Sequence, residues 1–241
     1  MDNETTLKPT VEMEVRHPSS MPLVLMAAAA GLASSALILP FWMPGLVQSI
    51  ITTDIKAFWY LSRATAIVGY LMMWFSMVWG LSMTSRAAKL WPGMQVANEL
   101  HKFISLLGLG LGGLHGFLLL GDNYLNLSFI QILIPFSVQG YRPVWVGIGQ
   151  ISLYLAIIVV LSFYLRKLMG YRTWRALHFI TFLMFISILV HGIAAGTDTG
   201  TSWMSAIYWV TGGSVLFLTF YRVLSAMDAS LKKVPIPSQN T

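Results

Sequence analysis

Long apolar runs and short polar segments alternate along the chain. Six of the runs are long enough to cross the hydrocarbon core of a bilayer, which needs about 20 residues at a rise of about 1.5 Å each. This pattern predicts an all-α membrane protein, a six-transmembrane-helix bundle. The runs lie near residues 22–43, 57–83, 98–120, 144–168, 174–195 and 203–223.

The polar segments between and around the runs predict the topology. Residues 1–21 are polar and partly acidic, unlike the short basic start of a signal peptide, so we expect a tail followed by an uncleaved first helix. The transmembrane domain then covers 22–223, and 224–241 form a C-terminal tail. All but three of the 15 lysines and arginines lie on the side of the two tails, so the positive-inside rule places both termini in the cytoplasm. The three exceptions are Lys56, Arg63 and Arg142.

Composition excludes several classes of protein. With 56% hydrophobic residues, 10% charged residues and a mean hydropathy of +0.69, the 241-residue chain is not an ordinary soluble domain. The absence of cysteine excludes disulfides, thiolate nucleophiles, iron–sulfur clusters and covalently attached c-type haem. The net charge of +6 does not indicate a nucleic-acid partner, because the basic residues lie at helix ends and in short loops. Membrane lipid is the expected surrounding, and the short loops are compatible with a bacterial inner membrane.

Four of the five histidines lie within two of the apolar runs, in two spaced pairs. His101 and His115 are 14 residues apart, and His178 and His191 are 13 apart, or about 20 Å along a helix in each case. In each of the two runs, one histidine is therefore expected near one membrane face and the other near the opposite face. A single membrane histidine is often only an interhelical hydrogen-bond donor, but four at two matched depths favour cofactor ligation. The matched depths predict two bis-histidine metal sites, His101 with His178 and His115 with His191.

The helical period makes one of these runs unusual. At 100° per residue, His101 and His115 fall within about 40° of one helix face, whereas His178 and His191 fall about 140° apart. The run at 174–195 should therefore bend or present its two rings on different flanks.

These histidines stand in the contexts NELHKFISLLGLGLGGLHGFLLLGD and WRALHFITFLMFISILVHGIAAGTD. The pattern resembles the ferric-reductase-like transmembrane domain shared by ferric reductases and NADPH oxidases, over roughly 57–223. The resemblance implies two b haems, with His101 and His178 binding the inner haem and His115 and His191 binding the outer one. It also implies electron transfer from a cytoplasmic flavin across the membrane.

The tails are short compared with the larger members of that family. The 21 residues before the first run and 18 after the last leave no room for flavin and nicotinamide domains. We therefore expect a separate electron-donor protein or a quinone, and a place for this chain in a larger membrane complex.

Basic and polar side chains near the histidines are further candidates. Arginine can bind a haem propionate through two hydrogen bonds, and Arg63 lies inside a run, where it either holds an outer propionate or reaches towards the interface. Arg175, with Arg172 and Lys102, either holds the inner propionates or anchors the cytoplasmic face. The second ring nitrogens of the histidines need acceptors, for which the candidates are backbone carbonyls, Ser105, Thr181 and Ser187.

Two other features bear on the expected sites. Gly108, Gly112 and Gly116 form small-xxx-small steps that admit either a neighbouring helix or a porphyrin face. The connection at 121–143 is too apolar for a free loop, so we expect it to lie at the membrane interface and cover the outer site.

The sequence as a whole favours a di-haem b transmembrane electron-transfer protein, the haem-bearing component of an oxidoreductase system. Bis-histidine ligation leaves no open position on iron, so no residue is expected to be catalytic, and transfer should proceed at the haem edge. The alternatives are a single-haem, quinone-linked subunit, a histidine-relay proton transporter and a cofactor-free anchor.

Overall fold

We describe residues 56–83 and 93–231 of a computed structural model of the chain. The predicted first run at 22–43 and both outermost tail segments lie outside the described residues. Within the described part all regular structure is helical, without strands, as predicted. Five helical segments are long and apolar enough to cross a membrane, and they correspond to the five remaining runs. They are Ala57–Met83, Met94–Gly121, Pro143–Tyr164, Tyr171–Ala195 and Ser202–Asp228.

The helices begin and end at residues suited to those positions. Gly93, at a φ of 119°, precedes the second helix, and Pro143 occupies the first turn of a later one, where its missing N–H costs nothing. The last helix extends past the predicted end at 223 to Leu231. In chain order the helices are α1 Ala57–Met83, α2 Met94–Leu118, α3 Phe129–Leu133, α4 Pro143–Tyr164, α5 Arg166–Met169, α6 Tyr171–His178, α7 Ile180–Ala195 and α8 Ser202–Leu231.

Glycines bring α1 and α2 close together. A Cβ atom at Gly108 would lie 3.2 Å from the Cγ of Met73 and 3.3 Å from its backbone nitrogen, and one at Gly69 would lie 3.2 Å from the Cβ of Leu111. Gly108 therefore serves helix packing. Gly112 differs, because a Cβ there would meet only Leu153, at 4.0 Å.

The core lies where α1, α7 and α8 meet. The rings of Tyr70 and Phe185 stack with centres 6.2 Å apart, and the Tyr70 hydroxyl is hydrogen-bonded to Thr211. Large apolar side chains cover the outside as well, among them Phe103 and Trp209, which are 62% and 80% exposed. Apolar residues on both the inside and the outside are typical of a helix bundle surrounded by lipid.

The predicted run at 174–195 is interrupted between α6 and α7. The Phe179 N–H donates to both Arg175 and Ala176 carbonyls, and the Phe182 N–H donates to the Phe179 carbonyl, three residues back. Bonds over three residues tighten the helix and add rotation per residue. The expectation that the run bends or presents its two rings on different flanks stays a prediction.

The two ends of the bundle carry different charges. Asp122 follows α2 and Asp198 follows α7 at one end, which we call the aspartate end. Arg166 in α5 and Arg175 in α6 lie at the other, which we call the arginine end.

Candidate functional site

The structure brings the four membrane histidines together in the two pairs that their spacing predicts. The ring centres of His101 and His178 are 6.3 Å apart, and those of His115 and His191 are 6.4 Å apart. Helices α2 and α7 are not among the pairs that pack closely along their backbones; α2 packs on α1, and α7 packs on α4. The ring planes are inclined by 75° in the first pair and 65° in the second, and each pair lies between two helices that do not pack closely.

The separation of the rings suits one metal ion between them. A metal held about 2 Å from the nitrogen of each of two opposed imidazoles separates the ring centres by about 6 Å. No group of three or more histidine or acidic side chains able to hold a metal ion occurs among residues 56–83 and 93–231. Within the described residues each pair therefore supplies two imidazoles as candidate metal ligands, and a group held there would have to bring its remaining ligands with it, as a porphyrin does.

His115 is oriented by Ser62 on α1. Its Nδ1 lies 2.9 Å from the Ser62 carbonyl oxygen and 2.9 Å from the Ser62 hydroxyl, while that hydroxyl donates to the His115 carbonyl at 3.2 Å. A carbonyl oxygen only accepts hydrogen bonds, so Nδ1 carries the ring proton. The other nitrogen, Nε2, keeps its lone pair free for a metal.

His191 is oriented in the same way by α4. Its Nδ1 donates to the Trp145 carbonyl oxygen at 2.8 Å, which again leaves Nε2 unprotonated. Gly149 makes room for the ring, since a Cβ atom at that position would lie 2.5 Å from the His191 Nδ1. The backbone carbonyls anticipated as acceptors thus serve both histidines of this pair.

His101 is held by two serines. Its Nδ1 lies 3.2 Å from the Ser76 hydroxyl, which is 2.7 Å from the Ser105 hydroxyl, which in turn donates to the His101 carbonyl at 2.7 Å. Each hydroxyl has one proton, so the bonds run in one direction from His101 through Ser76 and Ser105. Ser105, anticipated as a direct acceptor, acts one step further from the ring.

His178 has a different environment from the other three. Its ring stacks on Trp174, with centres 5.2 Å apart and planes 25° apart. The Trp174 Nε1 is buried and has no hydrogen-bond partner in the described part of the chain. Thr181, another anticipated acceptor, donates to the His178 carbonyl instead.

A cavity of about 310 Å³ surrounds the His115–His191 pair. This volume falls in the range of about 300–1,000 Å³ typical of cofactor and ligand pockets. The lining is mostly apolar and reaches from Met73 and Ala156 in the bundle to Asp122 and Tyr141 at the aspartate end. Gly112 and Gly116 lie in the wall, whereas His101 and His178 are not part of it.

Arg63 has a protein partner that the sequence analysis did not name. Its Nε donates to Asp198 Oδ2 at 2.9 Å, its Nη2 forms an ion pair with Asp198 Oδ1, and its guanidinium lies 4.2 Å from the Trp59 ring centre. Arg63 also lines the cavity, and its Nη1 takes no part in the ion pair. The pair ties the start of α1 to the connection between α7 and α8.

The basic candidates of the arginine end lie near the surface. Arg175 is exposed and contacts the Tyr171 hydroxyl at 3.4 Å. Lys102 pairs with Glu99, and Arg172 is exposed. Arg166 lies over the Trp174 ring at 5.4 Å.

The connection between α2 and α4 covers the cavity. Gln150 on α4 donates to the carbonyls of Gln131 and Ile132 at 2.6 and 2.8 Å, which holds α3 against the bundle. Ile132 and Val138 line the cavity, while Phe129 and Ile130 are 59% and 64% exposed. The segment thus covers the site with one face and presents apolar side chains outward with the other.

Ser62 and Ser76 were missed by the sequence analysis, although the sequence contains a signal for them. They are 14 residues apart on α1, the same spacing as His101 and His115 on the antiparallel α2. A second matched spacing in the sequence involves two aspartates. Asp122 follows His115 by seven residues, and Asp198 follows His191 by seven.

The chain has no significant match to any protein-family model, curated protein or solved structure. Function is therefore argued from the geometry of the site and the spacing of its residues.

Proposed function

We propose that the chain is a transmembrane electron carrier that binds two b haems, one between His101 and His178 and one between His115 and His191. The observation that carries this proposal is the approach of the ring centres to 6.3 and 6.4 Å in two separate pairs. The chain contains no cysteine, which leaves non-covalent b-type binding. The histidine pattern shared with ferric-reductase-like domains supports the same function.

The chain's own groups prepare the ligands. The carbonyls of Ser62 and Trp145 hold the Nδ1 protons of His115 and His191, so both rings enter the site in the tautomer that a metal requires. Such bonds also make the imidazole a stronger donor to iron. The cavity wall is mostly apolar, and an apolar surrounding raises the influence of these bonds on the reduction potential.

The bound haems would supply one-electron chemistry, because iron alternates between two oxidation states. With two histidines holding each haem, electrons would be exchanged with the donor and the acceptor at the haem edge. The protein then acts by holding two redox centres about 20 Å apart along α2, one towards each face of the bundle.

The distribution of basic residues supports an orientation of the chain in the membrane. The arginine end carries most of the basic residues of the described loops, so we place it and both termini at the cytoplasmic face, in a bacterial inner membrane. The electron donor is a separate protein or a quinone, within a larger membrane complex.

A single-haem form is the second candidate, because the cavity encloses one pair only. His115 and His191 line it, whereas His101 and His178 do not. A chain with one haem would keep it at the His115–His191 pair.

Loss of single histidines tests the proposal. His115→Ala should remove one haem and spare the other, and His101→Ala should do the same for the other site, because each ring belongs to one pair. Haem content per chain and the reduced-minus-oxidised spectrum measure this. His17→Ala is the control, since that residue lies in the polar N-terminal segment. Unchanged haem content in both variants would contradict the assignment.

A further inference from the structure

Two aspartates hold equivalent positions at the cavity but differ in their partners. Asp122 follows His115 by seven residues, and Asp198 follows His191 by seven. Asp198 is bound by Arg63 through two hydrogen bonds. Asp122 is only 5% exposed, and its Oδ1 accepts a bond from the Tyr124 N–H at 3.0 Å. Its Oδ2 is buried and has no hydrogen-bond partner among the residues that the structure describes.

The unpaired oxygen belongs to a residue of the cavity wall. A buried acceptor without a donor loses the hydrogen bonds that water would provide, so such an atom in a folded protein asks for an explanation. Two cations of the same end have partners other than Asp122: Arg63 forms an ion pair with Asp198, and Arg142 donates to the Ala194 carbonyl. A ligand that brings its own hydrogen-bond donor into the cavity would satisfy Asp122.

The wall of the cavity restricts the chemistry of that ligand. The lining is mostly apolar and includes Leu125, Leu127 and Val138, so a ligand with an uncharged, apolar body suits it. Asp122 lies two helical turns beyond His115, or about 10 Å along the axis. A ligand at Asp122 is therefore in the same cavity as a proposed redox centre.

We propose that Asp122 is the proton acceptor in a binding site for a lipid-soluble hydroquinone, which delivers electrons to the centre at His115 and His191. This inference rests on the proposed haem function and selects the quinone class of donor. A hydroquinone combines an apolar ring, an O–H donor and releasable electrons in one molecule.

The reaction balances as follows. One hydroquinone loses two protons and two electrons and becomes a quinone, its two C–OH groups becoming C=O groups. One hydroxyl gives its proton to Asp122 Oδ2, and the other gives its proton to water at the aspartate end. The two electrons pass singly to the His115–His191 centre, reducing two equivalents of ferric iron to ferrous iron.

The test uses the full-length haem-loaded chain in detergent, with duroquinol as the probe. Anaerobic stopped-flow absorbance should show haem reduction that is about a hundredfold slower in Asp122→Asn, the usual scale of a lost proton acceptor. The amide keeps the bond from Tyr124 but cannot take the proton. Glu99→Gln makes the same chemical change on an exposed carboxylate at the other end of α2, and it should leave the rate unchanged.

A second measurement does not depend on a variant. 1-Naphthol, which carries an O–H donor, should slow reduction of the unaltered chain by duroquinol, and 1-methoxynaphthalene, which lacks the donor, should not. Equal inhibition by both, or an unchanged rate in Asp122→Asn, would overturn the inference.

Dithionite separates this inference from the proposed function. A chain that dithionite reduces to a b-haem spectrum, but that duroquinol does not reduce, contradicts only the hydroquinone site. A chain without a haem spectrum contradicts the proposed function. Asp122→Asn could instead lose haem while 1-naphthol and 1-methoxynaphthalene inhibit the unaltered chain equally. That combination would assign the carboxylate to haem binding and overturn the hydroquinone site.

Discussion

At the scale of single residues, the position of the His191 ring depends on the absence of a side chain at Gly149. A Cβ atom there would lie 2.5 Å from Nδ1 and 2.6 Å from Cε1 of the ring. The ring cannot yield easily, because its Nδ1 is bonded to the Trp145 carbonyl. The sequence alone does not reveal this role, since glycines are common on membrane helices and nothing local marks Gly149.

Gly149→Ala should therefore displace His191 and lower haem occupancy at the His115–His191 site. The effect on metal affinity should reach about 10–100-fold, as for the loss of groups that orient a metal ligand. Alanine is the better helix former by about 1 kcal/mol, so a loss of haem cannot be ascribed to weakening of α4. Haem quantitation after purification is the measurement.

Gly110→Ala is the matched control for that substitution. A Cβ atom at Gly110 would meet nothing within 4 Å, so this variant should retain both haems. Equal haem content in Gly149→Ala and the unaltered chain would show that the ring is not positioned as described.

At the scale of helices, the register of α1 against α2 places one serine at each histidine of α2. Ser62 and Ser76 are both buried, and their 14-residue spacing matches that of His101 and His115. Gly69 and Gly108 permit the close approach that this register needs. Sequence analysis predicted the two helices from the length of the apolar runs and the histidine pairs from their spacing. It could not predict which face of α1 meets α2, because that depends on packing between distant segments.

Ser62→Ala and Ser76→Ala should each raise the reduction potential of a different haem. Removing a hydroxyl that accepts from Nδ1 makes the histidine a weaker donor and so favours ferrous iron. The Ser62 variant should keep its haem, because the Ser62 carbonyl remains as an acceptor. Spectroelectrochemical titration measures both potentials, and the single-histidine variants assign each component.

The two serine variants serve as controls for each other. If both variants shift the reduction potential of the same haem, or if neither variant shifts a potential, the register of α1 on α2 is contradicted.

At the scale of the whole molecule, the separation of two sites along one bundle follows from the apolar runs and the histidine spacing. Those patterns can be seen within short stretches of sequence. They predicted the all-helical fold class, the five spans of the described part and the placing of the histidines at two depths. The ion pair of Arg63 with Asp198 and the unpaired Asp122 were not foreseen, because both depend on how connections fold over the aspartate end. Helix periodicity carries no information about connections.

The most direct test of the account is haem quantitation by pyridine haemochrome on the purified full-length chain, with an optical spectrum of the reduced and oxidised forms. We expect about two b haems per chain, both low-spin, because each iron would have two histidine ligands. A chain that purifies folded without haem, or whose iron is high-spin, would contradict the claim that the paired histidines bind two haems.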